Sequence, residues 1–408
     1  MKISDIDWAR TETASGSGEK IPQLLADIRA ADPDIQGSAY DELAWLITSD
    51  DTRSPAGVVV APFLIEVVAD DSVANRHHAL SLLAGIAVGD EGTYLAADPD
   101  WPTLRAQAAR FGSMSRAELD QYERGWINEA GSAQVRANRE KSAAIYDVES
   151  SRQSFVEAVA AYDAVRAGLP TYLRCLRSAE AGDRLYAAAL LAWFREDQSV
   201  ILPALHELLR GQEPQPFVIA DACIAAGLVG PGTGGAVGTT MRTLLDDPDD
   251  VVRATAAIGL ARLQPDARHD GQIRAAIFEC IANEEAPLEL IPFSDGELGQ
   301  LAAFATKGFG PATDAGIDIL LRRLAAPEPP YDLGLLLETL IRATFPATVP
   351  VGRSQPPPFA SFTSKQRQVA RAIAQTRYLD DGPMGVRLYR EEHNLPSDQT
   401  ALDEWVRS

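Results

Sequence analysis

The stretch of sequence that decides the fold reads Asp246-Asp247-Pro248-Asp249-Asp250-Val251-Val252-Arg253-Ala254. Asp and Pro are typical of a turn, and Val-Val-Arg is a suitable opening for a helix. Asp249 or Asp250 is expected to cap that helix, because a carboxylate accepts hydrogen bonds from the free N–H groups of the first turn and favours the positive end of the helix dipole. Arg253 lies one turn further along and is expected to pair with an acidic turn residue of a neighbouring repeat.

The same pattern, an Arg followed by Ala and then by further small residues, recurs along the chain. Copies begin at Arg76, Arg184 and Arg253, with a degenerate copy at Ile219. Their starts are separated by 108, 35 and 34 residues, so each of the last two steps matches one helix pair and the first matches three. One pair cannot bury its apolar face alone, and small residues let adjacent helices approach closely. We therefore predict an all-α fold, a right-handed α-solenoid of stacked helix pairs.

Composition shifts divide the chain into segments. We predict a flexible polar N-terminus over residues 1–20, the solenoid over 21–345, a Pro-rich linker over 346–360 and a small C-terminal helical cap over 361–408. Within the solenoid, residues from about 91 to 150 interrupt the repeats and are rich in aromatic residues, which predicts an insertion of extra helices. Two divergent units are expected to begin near Leu298 and Gly334.

Several segments resemble a group of bacterial HEAT-repeat proteins described as similar to phycobilisome-lyase-type HEAT repeats. The resemblance rests on Tyr162-Asp163-Ala164-Val165-Arg166-Ala167-Gly168-Leu169-Pro170, on residues 187–194 and 247–263, and on Asn394-Leu395-Pro396 with Leu402 and Trp405. It covers residues from about 38 to 90 and from about 155 to the end. The resemblance implies HEAT-like helix pairs. Because HEAT stacks mostly serve as scaffolds that bind varied proteins, the resemblance indicates a fold more than a particular function.

The charge balance restricts the partners. Lys and Arg number 37 against 58 Asp and Glu, a net charge of −21. The last 56 residues carry +1, so residues 1–352 carry −22. Because binding to a phosphate backbone depends on Lys and Arg, we expect neither nucleic acid nor an anionic membrane as a partner. Acidic pairs at predicted turns indicate that part of this charge serves helix ends.

The cysteines and the apolar runs point to a cytoplasmic protein. Cys175, Cys223 and Cys280 are far apart and match no metal-binding spacing, which suits a reducing compartment. The N-terminus, residues 1–5, includes an acid, Asp5, where a signal peptide needs its apolar core. The longest apolar run, residues 57–69, is too short to span a bilayer. We expect no cofactor.

Two groups of residues are weak candidates for chemistry. Asp246 and Asp247 belong to a run that contains Asp-Asp-x-x-Asp and Asp-x-Asp-Asp, patterns that bind magnesium diphosphate or donate a proton in prenyl-chain and terpene enzymes. No second magnesium motif follows and aromatic residues make up only 7% of the chain, so we interpret the run as a turn. His77 and His78 are adjacent, so on a helix they point about 100° apart and do not both bind one metal.

These observations favour a non-enzymatic scaffold or adaptor that holds a protein on its concave face, lined by the second helix of each pair. The net charge favours a basic partner, and one version is an immunity or antitoxin protein that neutralises a basic toxin. The alternative is a HEAT-type lyase or isomerase, or another ligand-binding enzyme, which requires a closed pocket. A HEAT-fold DNA glycosylase requires a basic groove, which the net charge opposes. No residue is predicted to be catalytic, cofactor-binding or metal-binding.

Overall fold

The fold is all-α in the computed structural model, which describes residues 2–49, 52–89, 91, 95, 99–131, 133–211, 213–232, 235–264, 266, 269–282, 290–293, 297–306, 309, 312–326, 333–345, 356–376, 390, 393, 395–396 and 399–408. Two compact units divide the chain, Met1–Asp197 and Gln198–Ser408. Within the described ranges, no helix combines the length and the apolar character needed to cross a membrane.

The first unit contains helices and two very short hairpins. The helices are α1 (Ile21–Asp27), α2 (Pro33–Ile47), α3 (Pro55–Ala69), α4 (His77–Val88), α5 (Trp101–Gly112), α6 (Arg116–Asn128), α7 (Ala133–Ile145), α8 (Val148–Arg166), α9 (Leu169–Cys175) and α10 (Ala181–Leu191). The antiparallel strand pairs are β1 (Glu12–Thr13) with β2 (Gly16–Ser17), and β3 (Thr48–Ser49) with β4 (Thr52–Arg53).

The regular elements in the described part of the second unit are all helices. Its helices are α11 (Gln198–Arg210), α12 (Pro216–Val229), α13 (Gly235–Thr243), α14 (Asp250–Leu263), α15 (Gly271–Ala282), α16 (Leu298–Ala305), α17 (Asp314–Leu324), α18 (Leu333–Thr344), α19 (Ser364–Gln375) and α20 (Gln399–Trp405). Helices α16 and α18 begin at or next to the two positions where divergent units are expected.

In the first unit, three helices form a row. α4 packs against α10 on one side and against α2 on the other, while α3 and α8 pack behind it. Apolar side chains fill the space between these layers, among them the fully buried Leu43, Leu64, Leu80 and Leu83. The row formed by α2, α4 and α10 therefore has one face against the core and one face toward solvent.

The N-terminal residues contact this unit. Ile3–Asp5 and Trp8–Arg10 form 3-10 turns, and Trp8 is buried with its ring centroid 6.3 Å from that of Phe63. The Trp8 indole Nε1 donates to the Ile3 carbonyl oxygen at 2.9 Å. The flexibility predicted for residues 1–20 concerns motion and stays a prediction.

The C-terminal segments pack within the second unit. Residues 346–355 of the predicted linker lie outside the described residues. Beyond them, the rings of Phe359 and Phe362 lie 5.1 Å and 5.4 Å from Trp405, whose Nε1 donates to the Pro357 carbonyl at 2.7 Å. Phe362 also contacts Phe345, with 5.7 Å between ring centroids. Aromatic packing thus connects α19 and α20 to the residue that follows α18.

Acidic residues cap several helices, as the sequence indicates. Asp249 accepts hydrogen bonds from the backbone N–H groups of Val251 (2.9 Å) and Val252 (3.2 Å) at the start of α14. The same role falls on Asp32 for α2, Asp100 for α5 and Asp147 for α8. A carboxylate satisfies free N–H groups at each of these helix ends, so part of the net charge has a structural function.

The closest helix packing in the second unit is between α12 and α14. A Cβ added to Gly227 would lie 2.7 Å from the Gly259 Cα, and one added to Gly259 would overlap the Cys223 carbonyl. Both glycines follow the start of their repeat by six to eight residues, within the run of small residues. The small residues of the repeat pattern therefore let two helix backbones touch.

This contact predicts the effect of two glycine substitutions. Gly259→Ala should destabilise the second unit by about 2 kcal/mol, because the new methyl group requires the two helices to move apart. Gly37→Ala in α2 is the matched control. Its Cβ would meet nothing within 4 Å, so removing a helical glycine should be neutral or stabilise by about 0.5 to 1 kcal/mol. Urea denaturation of both variants measures the difference, and equal midpoints would contradict the close contact.

Candidate functional site

The acidic run at residues 246–250 forms the turn before α14. The Asp247 carboxylate accepts from the Asp249 N–H at 2.9 Å, and Asp246 accepts from the Gln272 side chain at 3.3 Å. Asp249 caps the helix, and Asp250 forms an ion pair with Arg253. Each carboxylate of the run thus has a partner within the turn or on the next helix, which favours the structural interpretation of this run over magnesium binding.

Two of the repeat arginines donate hydrogen bonds to carbonyl groups of the turn that precedes their own helix. Arg253 donates to the Asp247 carbonyl at 2.6 Å, and Arg184 donates to the carbonyls of Ser178 and Ala179 at 2.8 and 2.9 Å. The ion pair of Arg253 is with Asp250 of its own helix, and not with a neighbouring repeat as its position suggests. The reason is local geometry, since a helical side chain leans toward the N-terminus of its helix and so meets the preceding turn first.

Arg76 makes the contact between neighbouring helices that was expected of Arg253. It precedes α4, and its Nε donates to the Asp183 carboxylate of α10 at 2.7 Å. The Ser178 hydroxyl donates to the same carboxylate oxygen at 2.7 Å, and Arg76 also pairs with Asp71. Arg76 is 8% exposed and Asp183 is 2% exposed. Burial lowers the pKa of the Arg76 guanidinium, but its hydrogen bonds to Asp71 and Asp183 outweigh that effect and raise the pKa.

A row of rings lies beside this buried ion pair. The ring centroids of His77 and His78 are 4.3 Å apart, His78 is 5.2 Å from Tyr40 of α2, and His77 is 5.6 Å from Tyr186 of α10. Trp45 of α2 is 59% exposed. We name this surface the histidine face and define it by residues of α2, α4 and α10: Asp41, Trp45, His77, His78 and Tyr186, together with Tyr40, which is itself buried.

Burial sets the protonation of both histidines. It lowers the pKa of His77, and the neighbouring His78 lowers it further, while Asp183 and Glu180 act in the opposite direction. Burial also lowers the pKa of His78, against the charge of Asp41. Both imidazoles are therefore neutral near pH 7.

The histidine face offers aromatic and imidazole rings to a contacting molecule. No group of three or more His, Cys, Asp or Glu residues suited to a metal ion occurs in the part of the chain that the structure describes. The three cysteines have no disulfide, and burial raises the pKa of the Cys175 thiol to about 11. An exposed Trp beside stacked His and Tyr rings is a composition typical of protein-binding surfaces.

An open cavity lies beside this face, between α1 and α2. It has a volume of about 370 Å³, and its walls combine apolar and acidic residues: Leu24, Ile35, Ala39, Asp27, Asp34 and Glu42. Ile35 is 48% exposed. Lys20 of the same chain already pairs with Glu42 at 2.6 Å, and the remaining acidic and apolar walls suit a side chain that has both an aliphatic stem and a positive charge.

The sequence does not reveal a third feature, the ion network that holds α5 to the unit. Arg105 donates to both oxygens of Asp163 on α8, at 2.9 and 3.0 Å, and to both oxygens of Glu196, at 2.5 and 2.8 Å. Its guanidinium lies 5.7 Å from the ring centroid of Tyr162. These partners are 58 and 91 residues from Arg105, so no local pattern indicates the network.

Comparisons with known proteins add little. No protein-family model matches the chain, and no curated protein matches it. Among solved structures, the crystal structure of an engineered protein aligns with 95% of this chain and 99% of its own, at 15% sequence identity and a TM-score of 0.31. That similarity is too low to support an argument about fold or function.

The buried ion pair predicts a large effect on stability. Asp183→Asn should lower the free energy of unfolding by about 3 kcal/mol, because it leaves Arg76 buried beside a neutral partner. Arg29→Met is the matched control, since Arg29 and Asp70 form a solvent-exposed ion pair at 3.0 Å, and its effect should be much smaller. Denaturant midpoints test this, and the double variant Arg76→Met/Asp183→Asn should be less destabilised than the sum of the single variants.

The histidines predict a dependence of stability on pH. Burial lowers the pKa of both histidines in the folded chain, whereas a histidine in the unfolded chain keeps its ordinary pKa of about 6.5. The unfolded chain therefore binds protons more readily than the folded chain as the pH falls below about 6.5. Stability should thus be highest above pH ~6.5 and decrease as the pH falls below it. His77→Gln/His78→Gln should reduce this decrease, whereas Asp41→Asn should increase it by removing the charge that favours protonated His78. Thermal midpoints from pH 7.5 to 5 measure the slopes, and identical slopes in all three proteins would contradict this origin.

Proposed function

We propose that this chain is a non-enzymatic binding scaffold of HEAT-like helix pairs, in which the second helices of successive pairs present a surface to a protein partner. In the first unit that surface is the histidine face. The repeated steps of 35 and 34 residues and the backbone contact at Gly227 and Gly259 support the helix-pair interpretation. A right-handed solenoid, as in bacterial HEAT-repeat proteins, is part of this proposal.

The choice of partner rests on one observation. Helices α2 and α4 contain no Lys or Arg. α2 carries Asp34, Asp41 and Glu42. Glu42 pairs with Lys20 at 2.6 Å, whereas Asp41 lies exposed in the middle of the helix, away from its capped end. Negative charge on this surface is therefore not explained by helix capping alone. It favours a basic protein, and it opposes a nucleic-acid backbone, which requires positive charge.

The geometry also supports binding by pre-formed contacts. The buried pair between Arg76 and Asp183 holds α4 against α10, so the rings of the histidine face are already positioned and lose little side-chain entropy on binding. Trp45 offers a large exposed ring, the residue type that most often dominates binding energy. The neighbouring cavity is open to solvent, which suits a protruding Lys or Arg side chain better than an enclosed reaction. An inhibitor of a basic toxin is one form of this function.

Capture from a lysate of the source organism tests the proposal. The immobilised full chain should retain a basic protein whose binding weakens as salt rises. Asp41→Lys should weaken capture about tenfold or more, because it reverses the charge of the histidine face. Glu404→Lys, which makes the same charge change on an exposed residue of α20, should leave capture unchanged.

Trp45→Ala distinguishes contact with the face from attraction by net charge alone. It leaves the charge unchanged and should still lower affinity about tenfold. A partner that is retained equally by Asp41→Lys, Trp45→Ala and the parent chain would show that the histidine face is not the binding surface. A partner that is acidic, or whose binding is insensitive to salt, would contradict the proposed basic chemistry.

A further inference from the structure

Helices α6 and α7 form a hairpin that is poorly buried in its own unit. Leu119 is the one buried residue of α6, and no side chain of α7 that the structure describes is buried. α7 packs mainly against α6. A helix of 13 residues is marginal in water when it is not packed, so a hairpin with so little burial gains stability from a further surface.

The hairpin exposes large apolar side chains. Tyr122 and Trp126, one turn apart on α6, are 43% and 38% exposed, and Ile145 and Tyr146 at the end of α7 are 62% and 65% exposed. Arg110 and Arg139 lie over the first two rings, at 5.8 and 4.9 Å from their centroids. Trp, Tyr and Arg are the residues most enriched where binding energy is concentrated, so this is the composition of an interface.

The charges of the hairpin indicate which partner fits it. α6 carries three acidic and two basic residues, whereas α7 carries three basic residues and one acidic residue. The two helices therefore have net charges of −1 and +2, on a chain whose net charge is −21. Two copies of the chain repel each other over most of their surface, and the near-neutral hairpin is a place where approach costs little.

We propose that the α6–α7 hairpin is a self-association surface through which two copies of the chain form a dimer. A two-fold axis places α6 of one copy against α7 of the other, so each net-negative helix meets a net-positive helix and the apolar side chains face each other. Isologous contacts of this kind are the commonest in homo-oligomers. The product is a four-helix bundle, in which helices about 20 Å long bury the rings that the single chain exposes.

Light scattering on a size-exclusion column tests the association with the full chain. The parent chain should change from monomer to dimer as its concentration rises from about 1 µM to about 100 µM. The dimer should become tighter between about 20 mM and 300 mM NaCl, because salt screens the repulsion between two chains of net charge −21 more than the attraction between helices of net charge −1 and +2. This direction is opposite to that expected for binding of a basic partner, so failure of one proposal is distinguishable from failure of the other.

Variants locate the interface. Ile145→Ser/Tyr146→Ser should weaken the dimer about thirtyfold, since it removes two exposed apolar side chains without adding charge. Val200→Ser on α11, whose parent side chain is 47% exposed, is the matched control and should leave the dimer unchanged. A monomer at all concentrations and salt conditions, or a dimer that both variants affect equally, would overturn the proposal.

Hydrogen exchange provides a reading on the parent chain that requires no variant. Amides of α6 and α7 should exchange about tenfold more slowly at the higher protein concentration, whereas those of α19 should not change. Slower exchange elsewhere with an unchanged hairpin would show that association uses another surface. If the hairpin is protected only after a foreign protein or lipid vesicles are added, the surface serves that partner and the proposal of self-association is wrong.

Discussion

The buried ion pair between Arg76 and Asp183 is the constraint on which the arrangement of the first unit depends. Two charges out of water are stable only if each keeps a hydrogen-bonded partner, so α4 and α10 stay aligned at this point. His77 follows Arg76 directly, and Gly182 precedes Asp183. A Cβ added to Gly182 would lie 3.1 Å from His77 Nδ1, so the imidazole rests against the backbone of α10. The ion pair thus determines where the first ring of the histidine face lies, and the ring contacts of His77 with Tyr186 and His78 follow from that position.

The second unit brings α12 and α14 together by shape, through a contact between two glycines. α12 and α14 meet through Gly227 and Gly259, and the nearby Ala225, Ala226, Ala257 and Ala261 are small and buried. The two backbones are so close that an added methyl group forces the helices apart, and their dispersion contacts weaken steeply with distance. The chain therefore joins helices in two ways. The charged contact depends on both charges being present, and the glycine contact depends on the absence of a side chain.

Sequence patterns predict the parts of this structure that local rules decide. The cap at Asp249, the start of α14 and the need for small residues all follow from neighbouring positions, and the structure confirms the all-α class. The arginine contacts follow from tertiary geometry and are only partly predictable. Arg76 matches the repeat pattern of Arg253, yet it precedes its helix while Arg253 is the fourth residue of its own, so the two side chains reach different partners. The histidine face joins helices whose residues lie up to 146 positions apart, and only the two histidines attract notice in the sequence.

The acidic residues that produce the net charge of −21 have different roles at different positions in the structure. Asp32, Asp100, Asp147 and Asp249 neutralise helix ends, and such residues indicate nothing about a partner, because any helical protein uses them in the same way. Asp41 lies in the middle of a helix that has no Lys or Arg, so its charge faces solvent beside the exposed ring of Trp45. The α6–α7 hairpin, with both signs of charge, has no preference for a charged partner of either sign. The position of an acidic residue relative to a helix end is therefore more informative than the number of acidic residues. It distinguishes the surface suited to a basic protein from the surface suited to a second copy of the chain.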